Sequence, residues 1–158
     1  MRRIRQQSGG LFSRRTRKHG GPKRRVWRKI HLGIDEETLE IRAVEVTRSD
    51  IGDAPMLPEL LARIPADQDI ARVTAPFHGL QANRFRATDG TCDTRKCHAA
   101  IAEREADAVI PPRKNAKPWQ TASAGAGARN EAVRASKYLG RALWRRWSGD
   151  HRRSRVEI

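Results

Sequence analysis

The stretch VWRKIHLGID, residues 26–35, places Val26, Ile30, Leu32 and Ile34 on one side of an extended chain and Trp27, Lys29 and His31 on the other. Arg28 is the exception on the apolar side. A period of two over this length reads as a half-buried strand. EIRAVEVTRSD follows, again rich in β-branched residues, and the DEETLE between them is short enough for a hairpin loop. The chain is therefore expected to contain an antiparallel pair, and whatever else it folds into must accommodate that hairpin.

Beyond the hairpin the periodicity changes. Asp53 reads as a helix N-cap with Pro55 just inside, and Leu57, Leu60, Leu61 and Ile64 recur at helical spacing. DIARVTA predicts a short buried strand. TRKCHAAIAERE predicts a helix capped by Thr94, with Cys97, Ala100 and Ile101 on one stripe. ADAVIPP predicts a further strand halted by Pro111 and Pro112, so the expected order is β-β-α-β-α-β. Residues 113–129, RKNAKPWQTASAGAGAR, read as a flexible loop whose glycines lack phosphate-loop spacing. Asn130 is then expected to cap a long helix through Trp147, ended by Gly149, with Trp144 and Trp147 as core anchors rather than base-stacking platforms.

A chain of 158 residues is the length of one domain, and a formal net charge of +15 calls for a polyanionic partner, with nucleic acid first among them. The charge is uneven: residues 1–34 hold twelve Lys or Arg and no acid before Asp35. Residues 1–17 are expected to form a disordered basic arm, since blocks of like charge repel themselves. Cys92 and Cys97 supply neither a disulfide framework nor four zinc ligands, and read as thiols of a reducing cytoplasm. No secretory signal or membrane-length apolar run is apparent, so a soluble cytoplasmic protein is expected.

Three stretches together resemble the DDE-type transposases of bacterial insertion sequences. KHGGPKRRVWRKIHLGIDEETLEIRAVEVTRSDIGDAPMLPELL is similar to the hairpin and first helix of their catalytic domain. TDGTCDTRKCHAAI is similar to the segment around their second catalytic Asp, and VIPPRKNAKPW with NEAVRASKYLGRALWRRWSGDHRRSRVE to the region of their final Glu. The resemblance covers residues 18–158. It implies an α/β fold, a ribonuclease-H-like mixed sheet flanked by helices, here expected to be incomplete at its first strand. It also implies three carboxylates holding Mg²⁺ or Mn²⁺, because hard divalent ions take oxygen ligands and a pair of them can activate one oxygen and stabilise another at a phosphodiester.

Carried over residue by residue, the resemblance puts the second acid of the triad on Asp89 and the Glu on Glu157, both as catalytic residues and metal ligands. Arg153, four positions before Glu157, matches the family's Arg, which suits a DNA phosphate. Arg152 and the basic residues Lys23, Arg24, Arg25 and Lys29 are further expected DNA contacts. The departures are equally specific: Asp150 and Cys92 stand where the family has Tyr, PFHGLQANRFRAT (residues 76–88) is inserted before Asp89, and no first Asp precedes the hairpin. Asp35, Asp50, Asp93 or another chain would have to replace that acid.

The sequence therefore carries an expectation of a transposase by descent, truncated at both ends and defective in metal-dependent cleavage and strand transfer. The alternatives are a non-catalytic DNA-binding remnant or regulator of an intact transposase and, further off, a basic RNA-associated protein. DNA, both element ends and target, is the expected partner, together with a second copy in a homodimer or an intact transposase.

Overall fold

The structure is a computed structural model and describes residues 2–12, 27–75, 92–120 and 122–149. Five strands and four helices follow one another as β1 (Arg2–Phe12), β2 (Trp27–Asp35), β3 (Ile41–Arg48), α1 (Asp53–Arg63), β4 (Ile70–Thr74), α2 (Arg95–Glu103), β5 (Asp107–Val109), α3 (Ala126–Leu139) and α4 (Arg141–Ser148). The strands form one sheet in the order β3-β2-β1-β4-β5. The pairs β1–β2 and β2–β3 run antiparallel; β1–β4 and β4–β5 run parallel. The helices α1 and α2 provide the crossovers into β4 and β5 that parallel pairing requires. This is an open mixed α/β sheet, compatible with the ribonuclease-H-like arrangement.

The expectation of a strandless basic arm fails for residues 2–12, and with it the expectation of a sheet incomplete at its first strand. Arg2–Phe12 is β1, the middle strand, with Ile4 opposite Asp35 on β2 and opposite Val73 on β4. RRIRQQSGGLF carries no clean alternation, and strand propensity reads side chains. Here the strand is specified by main-chain hydrogen bonding to neighbours on both sides, while Ile4, Arg5 and Gln6 are all buried. Residues 13–17 of the expected arm lie outside the described residues.

The β2–β3 pair is as expected, but the burial of β2 is not. His31, on the face the alternation marks as polar, is 0% exposed, whereas Ile30 and Leu32 are only half-buried. The reason is α1, whose first residue Asp53 sets its Oδ1 3.4 Å from His31 Nδ1. The apolar stripe of α1 is as read, with Leu57, Leu60, Leu61 and Ile64 buried against Ile4, Val73, Cys97 and Ile101. Arg104, just past α2, ties the two helices together by donating to Ile64 O and Pro65 O at 2.9 Å and to Gln68 O at 3.1 Å.

Thr94 caps α2 as expected, its hydroxyl accepting from Cys97 N at 3.2 Å. The long helix does not hold. It starts five residues early, at Ala126 with Gly125 rather than Asn130 in the cap position, and breaks at Gly140 (φ 79°, ψ 154°) into α3 and α4. Gly149 ends α4 in the left-handed region, as expected. Trp144 is a core anchor at 3% exposure, but Trp147 is 73% exposed, which corrects its reading as an anchor. Gly125 sets the early start: it holds φ +73°, and an added Cβ would lie 2.5 Å from His98 O.

Gly125→Ala is accordingly expected to destabilise more than Gly140→Ala. Both carry the left-handed backbone cost of about 1–3 kcal/mol, but only Gly125 adds a backbone clash, since nothing lies within 4 Å of a Cβ at Gly140. Urea unfolding of the two variants beside the wild type checks the order.

Candidate functional site

In an open α/β sheet the natural ligand crevice lies outside the carboxyl ends of the parallel strands, where the strand order reverses. Here that point falls between β1 and β4. The pairing Ile4–Val73 and Arg5–Thr74 is the last of the β1–β4 ladder, after which β1 runs on while β4 ends and Ala75 N turns to Val109 O at 3.3 Å. The described side chains at this junction are Arg5, Gln6, Thr74 and Cys92, all buried. Gln6 Nε2 donates to Asp53 O at 2.9 Å, and its Oε1 accepts from Cys92 Sγ at 3.7 Å. Cys92 is held as a thiol: a shared hydrogen bond with Cys97 and burial push its pKa well up. An amide, a guanidinium, a hydroxyl and a protonated thiol do not make a divalent-metal site.

Polar groups beside the junction are absorbed by α1. Asp53, in the first turn where a helix favours negative charge, takes Lys29 Nζ at 2.6 Å on Oδ1, and Lys29 also reaches Ile51 O at 3.4 Å. His31 Nδ1 lies 3.4 Å from the same carboxylate oxygen while Nε2 shares a 2.9 Å hydrogen bond with Thr47 Oγ1. Burial outweighs the nearby Asp53 and lowers the His31 pKa, so the ring is neutral near pH 7.

A second buried polar cluster closes over Asp93. Arg129 grips it with Nε to Oδ1 at 2.6 Å and Nη2 to Oδ2 at 3.0 Å, Arg113 N donates to Oδ2 at 3.1 Å, and His98 Nε2 lies 3.4 Å from Oδ1. Burial opposes ionisation, but these His98, Arg129 and Arg113 contacts prevail and hold the Asp93 carboxyl well below the usual carboxylate range. Arg129 also donates to Lys117 O at 2.8 Å and lies 3.9 Å from the Trp119 ring centroid, with His98 edge-on to the same ring. Asn130 does not cap a helix; its side chain mimics a strand partner, accepting from Trp119 N at 2.8 Å and donating to Trp119 O at 2.9 Å. The segment read as a flexible loop is thus clamped between α2 and α3 over residues 113–120. Sequence reasoning missed Arg129 and Trp119 and gave Asn130 a cap role it does not play; the available signal was a lone Trp and an Arg-Asn pair flanking a run of small residues.

Of the sequence-derived site residues only Lys29 is described, and its ammonium is held by Asp53. Asp89, Glu157, Arg152, Arg153, Lys23, Arg24 and Arg25 lie outside the described residues, as does the 76–88 insertion. The three acids considered as replacements are dispersed. Asp35 caps its own turn, accepting from Glu37 N at 3.0 Å and Thr38 N at 3.3 Å. Asp50 is an exposed partner of Arg48 at 2.8 Å, and Asp93 is closed in its cluster. Among the described residues no three His, Cys, Asp or Glu gather to hold a metal ion.

Two pH windows follow. The His31 pKa is depressed on folding, so the unfolded chain binds the extra proton and stability falls as pH drops below the ordinary histidine value of about 6.5. The Asp93 pKa is also depressed, so its contribution is intact above the ordinary carboxylate value of about 3.9 and is lost below it. Urea unfolding across pH 7, 5 and 3 is expected to report both losses in that order. Arg129→Ala, which strands a buried carboxylate, is expected to lower the unfolding free energy at pH 7 by about 3–5 kcal/mol.

Among the described residues no helix is long and apolar enough to cross a membrane. No solved structure matches the chain at a significant level. Against known protein families, residues 3–158 match the transposase DDE domain, a span that begins inside β1 rather than at residue 18 and takes in the sheet and all four helices. With that match over nearly its whole length, the chain belongs to the DDE transposase domain family.

Proposed function

We propose that this chain is a DNA-binding member of the transposase family that does not itself cut or join DNA. The observation that carries this reading is the composition of β1. It is the central strand, it runs past the end of β4 at the crevice, and RRIRQQSGGLF contains no Asp or Glu. The family's chemistry needs carboxylates around Mg²⁺ or Mn²⁺, and the described donors at the β1–β4 junction do not fit that need. Asp89 and Glu157, the acids the resemblance assigns, would face an arginine-rich surrounding without a third negative ligand.

DNA binding is supported by the family and by a net charge of +15, with the basic run before Asp35 and Arg152 and Arg153 as its expected contacts. A chain that binds element ends without cleaving them competes with, or pairs with, an intact transposase, and regulation by occupancy is the role this reading assigns. Neutralising on the order of six phosphates gives a slope near −5 in log K against log salt, so affinity is expected to fall roughly a thousandfold between 50 and 200 mM salt. Fluorescence anisotropy on duplex DNA checks the slope. A supercoiled plasmid incubated with the chain and Mg²⁺ or Mn²⁺ is expected to stay unnicked; nicking abolished by Glu157→Ala would overturn the non-catalytic half of the proposal.

A further inference from the structure

The helix α4 has two unlike sides. Arg141, Trp144, Arg145 and Ser148 turn inward or are half-buried, with Arg141 Nη2 donating to Pro112 O at 2.9 Å. Ala142, Leu143, Arg146 and Trp147 are exposed, and at about 100° per residue they fill one continuous arc. Leu143 is 52% and Trp147 73% exposed. A tryptophan left in water while its neighbour Trp144 fills the core is not needed for packing, and it sits one turn along from Leu143 with Arg146 beside it.

The charge around this arc limits what could cover it. RALWRRWS contains three arginines and no acid. The segments outside the described residues do not supply a complement: residues 13–26 carry seven Lys or Arg and no acid, residues 76–91 two arginines and one acid, and residues 150–158 three arginines against two acids. A second copy would carry a net +15 of its own toward an already basic helix. The occupant must be anionic and must also offer flat apolar surface to an indole, and an unpaired stretch of nucleic acid has both, with phosphates along its backbone and a π-face on every base.

We propose that the exposed arc of α4 is a stacking platform for an unpaired DNA strand, with Trp147 stacking on a base, Leu143 extending the apolar contact and Arg146 pairing with phosphate. This rests on the DNA-binding reading and adds to it a strand type and a surface. It also reverses the sequence reading of Trp147 as a core anchor.

The test uses the whole chain and a labelled oligo-dT strand, followed by anisotropy and tryptophan quenching across salt, with far-UV circular dichroism on every variant. Trp147→Ala is expected to weaken binding about tenfold or more with an unchanged salt slope, and Trp147→Phe to restore most of it. Arg146→Ala is expected to reduce the slope by about 0.7. Equal oligo-dT affinity for Trp147→Ala and the wild type overturns the platform while the salt-sensitive binding of duplex DNA still stands. A wild type that binds no DNA overturns both readings together. Concentration-dependent self-association that Trp147→Ala abolishes assigns the arc to a second copy and overturns the proposal as well.

Discussion

The sheet depends on the main-chain hydrogen bonds of β1. On one side it pairs antiparallel with the β2–β3 hairpin, and on the other it pairs parallel with β4, which carries β5. Among the described strands nothing else joins these two halves. A middle strand satisfies its amides and carbonyls on both edges, so it can tolerate a sequence as unpromising as RRIRQQSGGLF provided one or two side chains bury well. Ile4 does so against α1, and Gln6 is accommodated because Asp53 O gives its amide a partner. The same strand also brings Arg5 and Gln6, both buried, to the crevice at the end of β4.

Elements with a side-chain period were legible from the sequence. β2 and β3, the apolar stripe of α1, the Thr94 cap and the proline stop after β5 all follow from local chemistry acting within a few residues. β1 was not legible, because its specification is non-local and lies in the edges of its neighbours. The buried face of β2 was misread for a related reason: alternation identifies two faces but does not say that an Asp53 one helix away will give His31 and Lys29 a place inside. The start of α3 and the break before α4 depend on glycines in the left-handed region, and only the contact of Gly125 with the His98 backbone distinguishes a required glycine from a flexible one.

The family was legible from three ordered stretches, and the site only in part. Asp89 and Glu157 are assigned by the resemblance alone and lie outside the described residues, whereas the acids considered as replacements are engaged in other contacts. Asp93 is bound by Arg129, the Arg113 amide and His98, Asp35 by its own turn, and Asp50 by Arg48 at the surface. Carboxylates used in this way stabilise the fold and are withdrawn from metal chemistry.

Native-state hydrogen exchange at the amides of Arg3 to Gln7 measures directly whether β1 is the middle of the sheet. Amides in a central strand open only with sub-global or global unfolding. Protection there is expected to match that of Val73 and Leu32 on the flanking strands. Exchange at the rate of an unstructured peptide, with β2 and β4 still protected, would contradict that placement and return residues 2–12 to a basic arm outside the fold.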